Sequence, residues 1–164
     1  MTRERYRALM TFWQDRPAAA RVLKGCSKVL TGAVYLAYIL AELWLALRWE
    51  PRLWRMTLVP LAVFLGGTVL RRTINAPRPY EVFGIPPLTR KDTKGQSFPS
   101  RHVFSASVIG VGLGWLCPPW GWAFLGVAAA IALTRVLTGV HFPRDVAAGL
   151  ALGGVLGWLG FFVI

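Results

Sequence analysis

Acidic residues, cysteines and histidines are scarce in this chain of 164 residues. Seven Asp and Glu stand against 19 Lys and Arg, which gives a formal net charge of +12, and there are two cysteines and two histidines. So few carboxylates argue against a Mg²⁺ site, because hard cations need several oxygen ligands. Cys26 and Cys117 form no C-x-x-C pair. They precede the first and follow the third of the apolar spans described below, so we expect them on opposite membrane faces without a disulfide.

Apolar residues, by contrast, are abundant. They make up 55% of the chain, with eight tryptophans and a mean hydropathy of +0.48. A soluble domain of this size could not bury that much apolar surface, so the composition predicts an integral membrane protein. The basic residues lie mainly between apolar segments, where they can meet lipid headgroups. Because no helix-turn-helix, RNA-binding or zinc signature is present, we expect membrane lipids rather than nucleic acid as partners.

Five apolar stretches predict the fold class. It is an all-α, polytopic membrane bundle of about five transmembrane helices in one domain over residues 29–164. The paired prolines in 117–121 divide one long run into two spans, because proline cannot continue a helix. The predicted spans cover 29–47, 56–70, the two parts of 102–134 on either side of that break, and 146–164.

Residues 1–28 form a separate basic segment. Tyr6, Leu9, Met10 and Trp13 follow i, i+3, i+4, i+7 spacing. They therefore share one face of a helix, which we expect to lie amphipathically in the membrane interface. The alternative is a poorly ordered basic tail. Interspersed charges leave no clean apolar region of a signal peptide.

The last span carries small residues at helical spacing. Gly149, Gly153 and Gly157 form two overlapping small-xxx-small pairs, which predict close contact with another helix. Packing within the chain is the expected use, and homodimerisation is the alternative.

Three polar clusters, 71–79, 99–102 and 134–145, each lie at an end of an apolar span. Threading five spans back and forth brings these ends to the same membrane face. Charge beside hydrocarbon is costly and usually persists where it does chemistry. The topology therefore predicts that the three clusters form one site.

The first two clusters have the chemistry of phosphate binding and proton transfer. Arg71 and Arg78 offer planar forks of donors that suit phosphate oxygens. Ser100 is a predicted N-cap at a helix start that could bind an anion. His102, in the first turn of that helix, could deliver a proton to a leaving oxygen. The structural alternatives are headgroup contacts by Arg71, and capping or a headgroup contact by His102.

The third cluster places a histidine and a carboxylate close together. Arg135 lies near the end of the fourth span, where it needs an anionic partner. His141 precedes Pro143, a good first helical residue, and Asp145 falls in the following turn. A carboxylate at that spacing can orient the imidazole and stabilise the cation formed on attack. The alternative for Asp145 is a favourable charge at a helix N-terminus.

Together the clusters resemble the signature of the type 2 phosphatidic acid phosphatase (PAP2) superfamily, K-x6-R-P, P-S-G-H and S-R-x5-H-x3-D. The resemblance covers roughly residues 56–164. The matching segments are Arg71 with Arg78-Pro79, then Pro99-Ser100-Arg101-His102, then Thr134-Arg135 with His141 and Asp145. Arg71 and Thr134 replace the usual lysine and serine but keep the cation and the hydroxyl. Arg101 replaces glycine, which adds a cation at the site.

The resemblance implies a mechanism. His141 would be the nucleophile and form a phosphohistidine, with Asp145 orienting it. His102 would protonate the leaving group and then activate water. The implied phosphate-binding set is Arg71, Arg78, Ser100, Arg101 and Arg135. Neither a metal nor another cofactor is implied.

The expected substrate is a lipid phosphate or lipid diphosphate, because the site opens at headgroup depth. Candidates are phosphatidic acid, phosphatidylglycerophosphate, diacylglycerol pyrophosphate and polyprenyl phosphates or diphosphates such as undecaprenyl pyrophosphate. Arg101 and the basic loop residues Arg90, Lys91 and Lys94 favour extra negative charge on the substrate.

We expect the protein in a bacterial cell membrane. About eleven basic residues flank the spans on the membrane face that carries the three clusters, and about three flank them on the other face. By the positive-inside rule this difference favours a cytoplasmic site. The family resemblance favours an external one. Two rival functions remain at this stage: an inactive lipid-phosphate-binding relative, motivated by Arg101, and a small transporter, for which Glu42 is the one carboxylate well inside a span.

Overall fold

The computed structural model describes residues 1–89 and 93–164, and within them the chain is helical with no strand. Seven α-helices follow one another, and α7 runs into a short π-helical turn at Leu159–Val163. Their bounds are α1 Arg3–Gln14, α2 Pro17–Leu47, α3 Arg52–Ile74, α4 Pro79–Phe83, α5 Arg101–Leu116, α6 Pro118–Leu137 and α7 Pro143–Trp158.

Four helical segments in the described part of the chain are long and apolar enough to cross a membrane: Pro17–Leu47, Arg52–Phe83, Pro118–Leu137 and Pro143–Val163. Large apolar side chains on their outer surfaces are exposed, such as Leu36 on α2. In water that surface would be costly, whereas lipid accommodates it. The predicted all-α membrane bundle is confirmed, and the chain is an integral membrane protein.

The fifth predicted span, α5, has 16 residues and is shorter than the ~20 that usually cross a bilayer. It forms the centre of the bundle, and ten of its residues are buried. Phe104 and Val103 are fully buried among residues of the surrounding helices, including Met56 and Phe161. A central helix needs less length because protein, rather than lipid, covers most of it.

The first long helix begins earlier than the apolar pattern predicts. α2 starts at Pro17, and proline is favoured at the first helical position because it has no N–H to satisfy there. Helix geometry tolerates the basic residues of 21–28, although hydropathy places the span at 29–47. The predicted boundary after residue 28 thus falls inside α2, and the division into segments 1–28 and 29–164 stays a prediction.

The turn between α5 and α6 is sharper than predicted. Cys117 alone separates the two helices, and Pro118 and Pro119 occupy the first positions of α6 rather than a loop. Both cysteines are free thiols, with Cys26 exposed and Cys117 half-buried.

The glycines of α7 pack against α5. A Cβ built on Gly153 would lie 2.2 Å from the carbonyl oxygen of Phe104, and one on Gly149 would lie 3.0 Å from that of Ser100. The small residues let the two backbones approach closely, as expected for packing within the chain. Homodimerisation stays a prediction.

α1 docks on the protein with the face that the periodicity identified. Tyr6 and Met10 are buried, and Leu9 and Trp13 are half-buried. Tyr6 donates a hydrogen bond from its hydroxyl to the carbonyl of Gly139 at 3.0 Å. The apolar face predicted to meet lipid is therefore covered in part by the α6–α7 loop.

Candidate active site

The end of α3, the starts of α5 and α7 and the α6–α7 loop meet at one end of the bundle, which we call the site end. The backbone N–H of Ser100 donates to the carbonyl of Asp145 at 2.9 Å. Arg78 donates from its guanidinium to the carbonyl of Val140 at 3.3 Å. These bonds join all three sequence clusters, as the threading argument predicted.

His141 and Asp145 form the buried centre of this end. Their side chains are 3% and 0% exposed, and the imidazole Nδ1 lies 3.6 Å from the carboxylate Oδ2 of Asp145. This distance gives an electrostatic contact longer than a hydrogen bond. Since Nδ1 faces the carboxylate, Nε2 is the ring nitrogen left to meet a substrate.

Asp145 is held in place by two further donors. Its Oδ2 accepts a hydrogen bond of 2.5 Å from the hydroxyl of Ser97 and one of 3.0 Å from the backbone N–H of Phe142. The second bond caps the N-terminus of α7, where a negative charge is favourable. The capping alternative for Asp145 and its contact with His141 therefore coexist.

Burial lowers the pKa of His141 to about 4, although the nearby carboxylate of Asp145 acts in the opposite direction. Desolvation disfavours the charged imidazolium. The imidazole is therefore neutral at physiological pH, which is the form that can act as a nucleophile.

Arg71 and Arg78 are buried at 6% and 5% exposure. The Arg71 guanidinium donates to the carbonyl of Pro99. Arg78 donates from Nε to the carbonyl of Gly95 at 3.0 Å. Each guanidinium is fixed by a backbone carbonyl from a neighbouring segment, so the two cations are preorganised beside the centre.

A cavity of about 410 Å³ opens at the site end and is lined by Arg71, Arg78, Thr93, Lys94, Gly95, Gln96 and Arg101. We call it the cationic pocket. Four of the seven lining residues carry positive charge, and no carboxylate lines it among the described residues. Its volume is ordinary for a small-molecule site, and its charge is suited to an anion.

Ser100 and His102 lie at the start of α5. Ser100 occupies the predicted N-cap position, but its side chain makes no capping bond. Its hydroxyl is fully buried and has no hydrogen-bond partner among the described residues. His102 lies in the first helical turn, half-buried.

Arg135 is the one predicted phosphate ligand that the structure turns toward another helix. Its guanidinium donates to the hydroxyl of Thr31 in α2 at 3.4 Å, and it does not line the cationic pocket. Its neighbour Thr134 donates from its hydroxyl to the carbonyl of Ile131 at 2.8 Å, and the same hydroxyl oxygen lies 3.1 Å from that of Ser27. The contacts of Thr134 are therefore those of helix packing.

Ser97 is a site residue that the sequence reasoning missed. It is fully buried, and its hydroxyl lies 3.4 Å from Nδ1 of His141 as well as bonding Asp145. Its position two residues before the Pro99–His102 cluster was the available signal. The predicted contribution of Arg90 and Lys91 falls outside the described residues.

Comparison with known proteins agrees with this geometry. The model of the PAP2 superfamily matches residues 52–164. A lipid A 1-phosphatase of Rhizobium johnstonii is 30% identical over 155 residues, which cover 90% of this chain and 56% of the relative. The chain thus spans about half the length of this curated relative.

Two solved structures share the fold. Aquifex aeolicus LpxE superposes with a TM-score of 0.73 at 21% identity, covering 96% of this chain and 92% of LpxE. A PAP2-type phosphatidylglycerolphosphate phosphatase from Bacillus subtilis superposes with a TM-score of 0.65 at 26% identity, covering 88% and 76%. The matched family model includes the whole constellation from Arg71 to Asp145. This chain belongs to the PAP2 superfamily.

Proposed function

We propose that the protein is a metal-independent membrane lipid phosphatase that works through a phosphohistidine on His141. The observation that carries the proposal is a buried, neutral imidazole backed by Asp145, at the same end of the bundle as a pocket with two buried arginines. Such an arrangement suits attack on a phosphoryl group whose charge the arginines neutralise.

In the first step, Nε2 of His141 attacks phosphorus and the bond from phosphorus to the leaving oxygen breaks. His102 gives its proton to that oxygen, and the lipid alcohol or lipid monophosphate departs. Asp145 stabilises the positive charge that develops on the imidazole, as a carboxylate does in a catalytic triad. Arg71 and Arg78 stabilise the charge on the phosphoryl oxygens.

In the second step, His102, now neutral, takes a proton from water. The water oxygen attacks phosphorus, the bond between phosphorus and Nε2 breaks, and inorganic phosphate leaves with His141 restored to its neutral form. The low pKa of His141 supports this cycle, because a neutral imidazole is both the nucleophile and the leaving group.

The buried hydroxyl of Ser100 supports a role in binding phosphate. A buried hydroxyl without a partner costs free energy, about 1–3 kcal/mol. Since Ser100 adjoins Arg101 of the cationic pocket, a phosphoryl oxygen is the acceptor we propose for it. Arg135 keeps a proposed role through its charge, because it is one of the positive neighbours of Arg78.

The substrate class follows from membrane location and from the relatives. The lipid A 1-phosphatase and the phosphatidylglycerolphosphate phosphatase are both named for removing a phosphate from a membrane lipid. We propose the same class here, in a bacterial membrane.

Phosphate release tests the proposal. Purified full-length protein in nonionic detergent is given phosphatidic acid, phosphatidylglycerophosphate and a polyprenyl phosphate and diphosphate, all with EDTA. His141→Ala should lower release by orders of magnitude, since removing a nucleophile removes its whole pathway. Arg48→Ala, at the opposite end of the bundle, is the matched control. More than about a tenth of wild-type activity in His141→Ala contradicts the mechanism.

Trapping the intermediate separates an enzyme from a lipid-phosphate-binding relative or a transporter. With a lipid carrying a label on the phosphoryl group that is transferred, the wild type quenched in alkali during turnover should carry acid-labile, alkali-stable label on the protein, and His141→Ala should not. Bound lipid without release from any substrate would favour the inactive binder.

The membrane side of the site is also a proposal. Tyr6 ties α1 to Gly139, so Arg3, Arg5, Arg7 and Arg16 belong to the site end. This supports a cytoplasmic site by the positive-inside rule. A single cysteine introduced at Arg72, with Cys26 and Cys117 replaced by serine, should resist a membrane-impermeant maleimide in intact cells and react after permeabilisation. Labelling in intact cells would place the site outside.

A further inference from the structure

The cationic pocket has an inner and an outer pair of cations. Arg71 and Arg78 are buried and bound to backbone carbonyls. Lys94 and Arg101 are exposed at the rim. The inner pair adjoins the His141 centre through Pro99 and Val140, so it accounts for the phosphoryl group that is transferred.

The outer pair lacks a counter-charge among the described residues. Neither Lys94 nor Arg101 forms an ion pair within 1–89 and 93–164. Arg101 also lies close enough to Arg71 for the two positive charges to repel. Glu81, the carboxylate that contacts this rim, is occupied by the backbone N–H groups of Arg78 and Gly95. Like charges held together in this way are stabilised by a bound anion.

We infer that Arg101 and Lys94 form a second anion subsite, which binds a phosphoryl group adjacent to the one transferred. This inference rests on the proposed phosphatase function and deepens it, because the preferred substrate becomes a lipid diphosphate. The scissile terminal phosphoryl lies against Arg71 and Arg78, and the phosphoryl attached to the lipid lies at the rim. Hydrolysis then yields inorganic phosphate and a lipid monophosphate.

Substrate preference tests the subsite. The ratio of kcat/KM for a polyprenyl diphosphate to that for the matching monophosphate is measured in nonionic micelles. Arg101→Gly and Lys94→Ala should each lower this ratio about tenfold, the scale of a charge-assisted hydrogen bond. Arg101→Lys, which keeps the positive charge, should retain most of the wild-type ratio. Arg72→Gln removes an exposed cation outside the pocket and should leave the ratio unchanged.

The possible outcomes distinguish a failure of the second anion subsite from a failure of the proposed phosphatase function. Turnover of the monophosphate with an unchanged ratio in both variants overturns the subsite and leaves the phosphatase intact. A rate that depends on Arg101 only in vesicles containing anionic lipid, with no change of ratio in micelles, overturns the diphosphate assignment and identifies a neighbouring headgroup as the anion. No turnover of either substrate by the wild type overturns both.

The contact of α1 with the α6–α7 loop, which carries His141, supports an independent inference. Gly139, with φ of +75°, lies two residues before His141. It accepts the Tyr6 hydroxyl at 3.0 Å. The Tyr6 ring packs on Phe83 at 5.4 Å, and Phe83 meets Phe142 edge-on at 5.9 Å. α1 therefore contacts the loop directly before the histidine, and after it only through Phe83 of α4.

We propose that Tyr6 is a positioning residue that fixes the loop carrying His141. It is fully buried, and its neighbour Met10 also packs against Gly139. Burial raises the pKa of the Tyr6 hydroxyl, so the group remains a donor over the working pH range. Without the hydroxyl, a buried carbonyl loses its partner and the loop must move to satisfy it.

Tyr6→Phe tests this role because it removes the hydroxyl and keeps the ring. We expect kcat to fall about tenfold and KM to change less than twofold, since substrate contacts are untouched. The melting midpoint of the purified protein should stay within a few degrees. Phe12→Leu, at an exposed position of α1, should leave both constants unchanged. An unchanged kcat in Tyr6→Phe, or a loss that follows the fraction of unfolded protein, overturns the proposal.

Discussion

Replacing Gly153 with alanine should separate the two helices that hold the site together. The new Cβ would lie 2.2 Å from the carbonyl oxygen of Phe104 and 2.8 Å from Cβ of Ser107. Carbon–oxygen contacts normally lie at about 3.3 Å or more. The obstacle is the backbone of α5, which cannot rotate away as a side chain can, so α5 and α7 must move apart by about 1 Å.

The cost of this movement is that of overpacking a close-packed core, about 1–3 kcal/mol. For a chain of this length it corresponds to a fall of roughly 2–12 °C in the melting midpoint. The same movement stretches the 2.9 Å hydrogen bond from the backbone N–H of Ser100 to the backbone carbonyl of Asp145, which links the start of α5 to the residue whose carboxylate lies beside His141. Stability and kcat should therefore fall together.

Gly154→Ala is the matched control, because its Cβ would meet only the hydroxyl of Ser107 at 3.6 Å, an ordinary contact. Melting of both variants in detergent is followed by tryptophan fluorescence, and phosphate release is measured alongside. Equal midpoints for Gly153→Ala and Gly154→Ala would refute the close approach of α5 and α7 on which the assembly of the site depends.

Three further predictions concern the site itself. The imidazole of His141 should have a pKa of about 4 rather than its ordinary value of 6.5. Between these two values the unfolded chain binds more protons than the folded one. The stability of the fold should therefore decrease as the pH drops from about 6.5 to about 4. Imidazole ¹⁵N NMR in micelles, assigned with His141→Gln, measures the pKa, and a value near 6.5 contradicts the burial. Ser97→Ala should lower kcat about tenfold with little change in KM, because Asp145 loses its 2.5 Å hydrogen bond; steady-state phosphate release checks this, and an unaltered kcat would remove Ser97 from the site. Arg71→Lys should retain much of the activity because it keeps the cation, whereas Arg71→Met should lose about a hundredfold or more in kcat/KM by the same assay, and equal rates for the two would show that charge at this position is dispensable.

The helical bundle was predictable because apolar runs and proline positions act locally. The spans over 56–70 and 146–164 lie inside α3 and the α7 region, and Pro143 begins α7 as expected. Hydropathy placed the first span at 29–47, whereas the helix that contains it begins twelve residues earlier, at Pro17. Hydropathy reports where lipid is tolerated, whereas a helix ends where its backbone hydrogen bonds end.

The predicted convergence of three clusters depended only on threading five spans, and the contacts of Arg78 and Ser100 agree with it. What threading could not show was direction. Arg135 belongs to a matching motif, yet its guanidinium reaches Thr31 of α2. A motif defines which residue occurs at a position, while the rotamer and the neighbouring helix decide where the side chain lies.

The sequence by itself determined that this protein lies in a membrane and is helical, and it pointed to His141, Asp145 and the arginines as candidate site residues, because hydropathy and motif spacing are local properties of the chain. Only the tertiary structure decided that Ser97 supports Asp145 across 48 residues and that Tyr6 holds Gly139 across 133. Contacts at such separation depend on how the helices pack. The glycines of α7 predict that some helix lies close to them, but the sequence of α5 contains no pattern that identifies it as that helix.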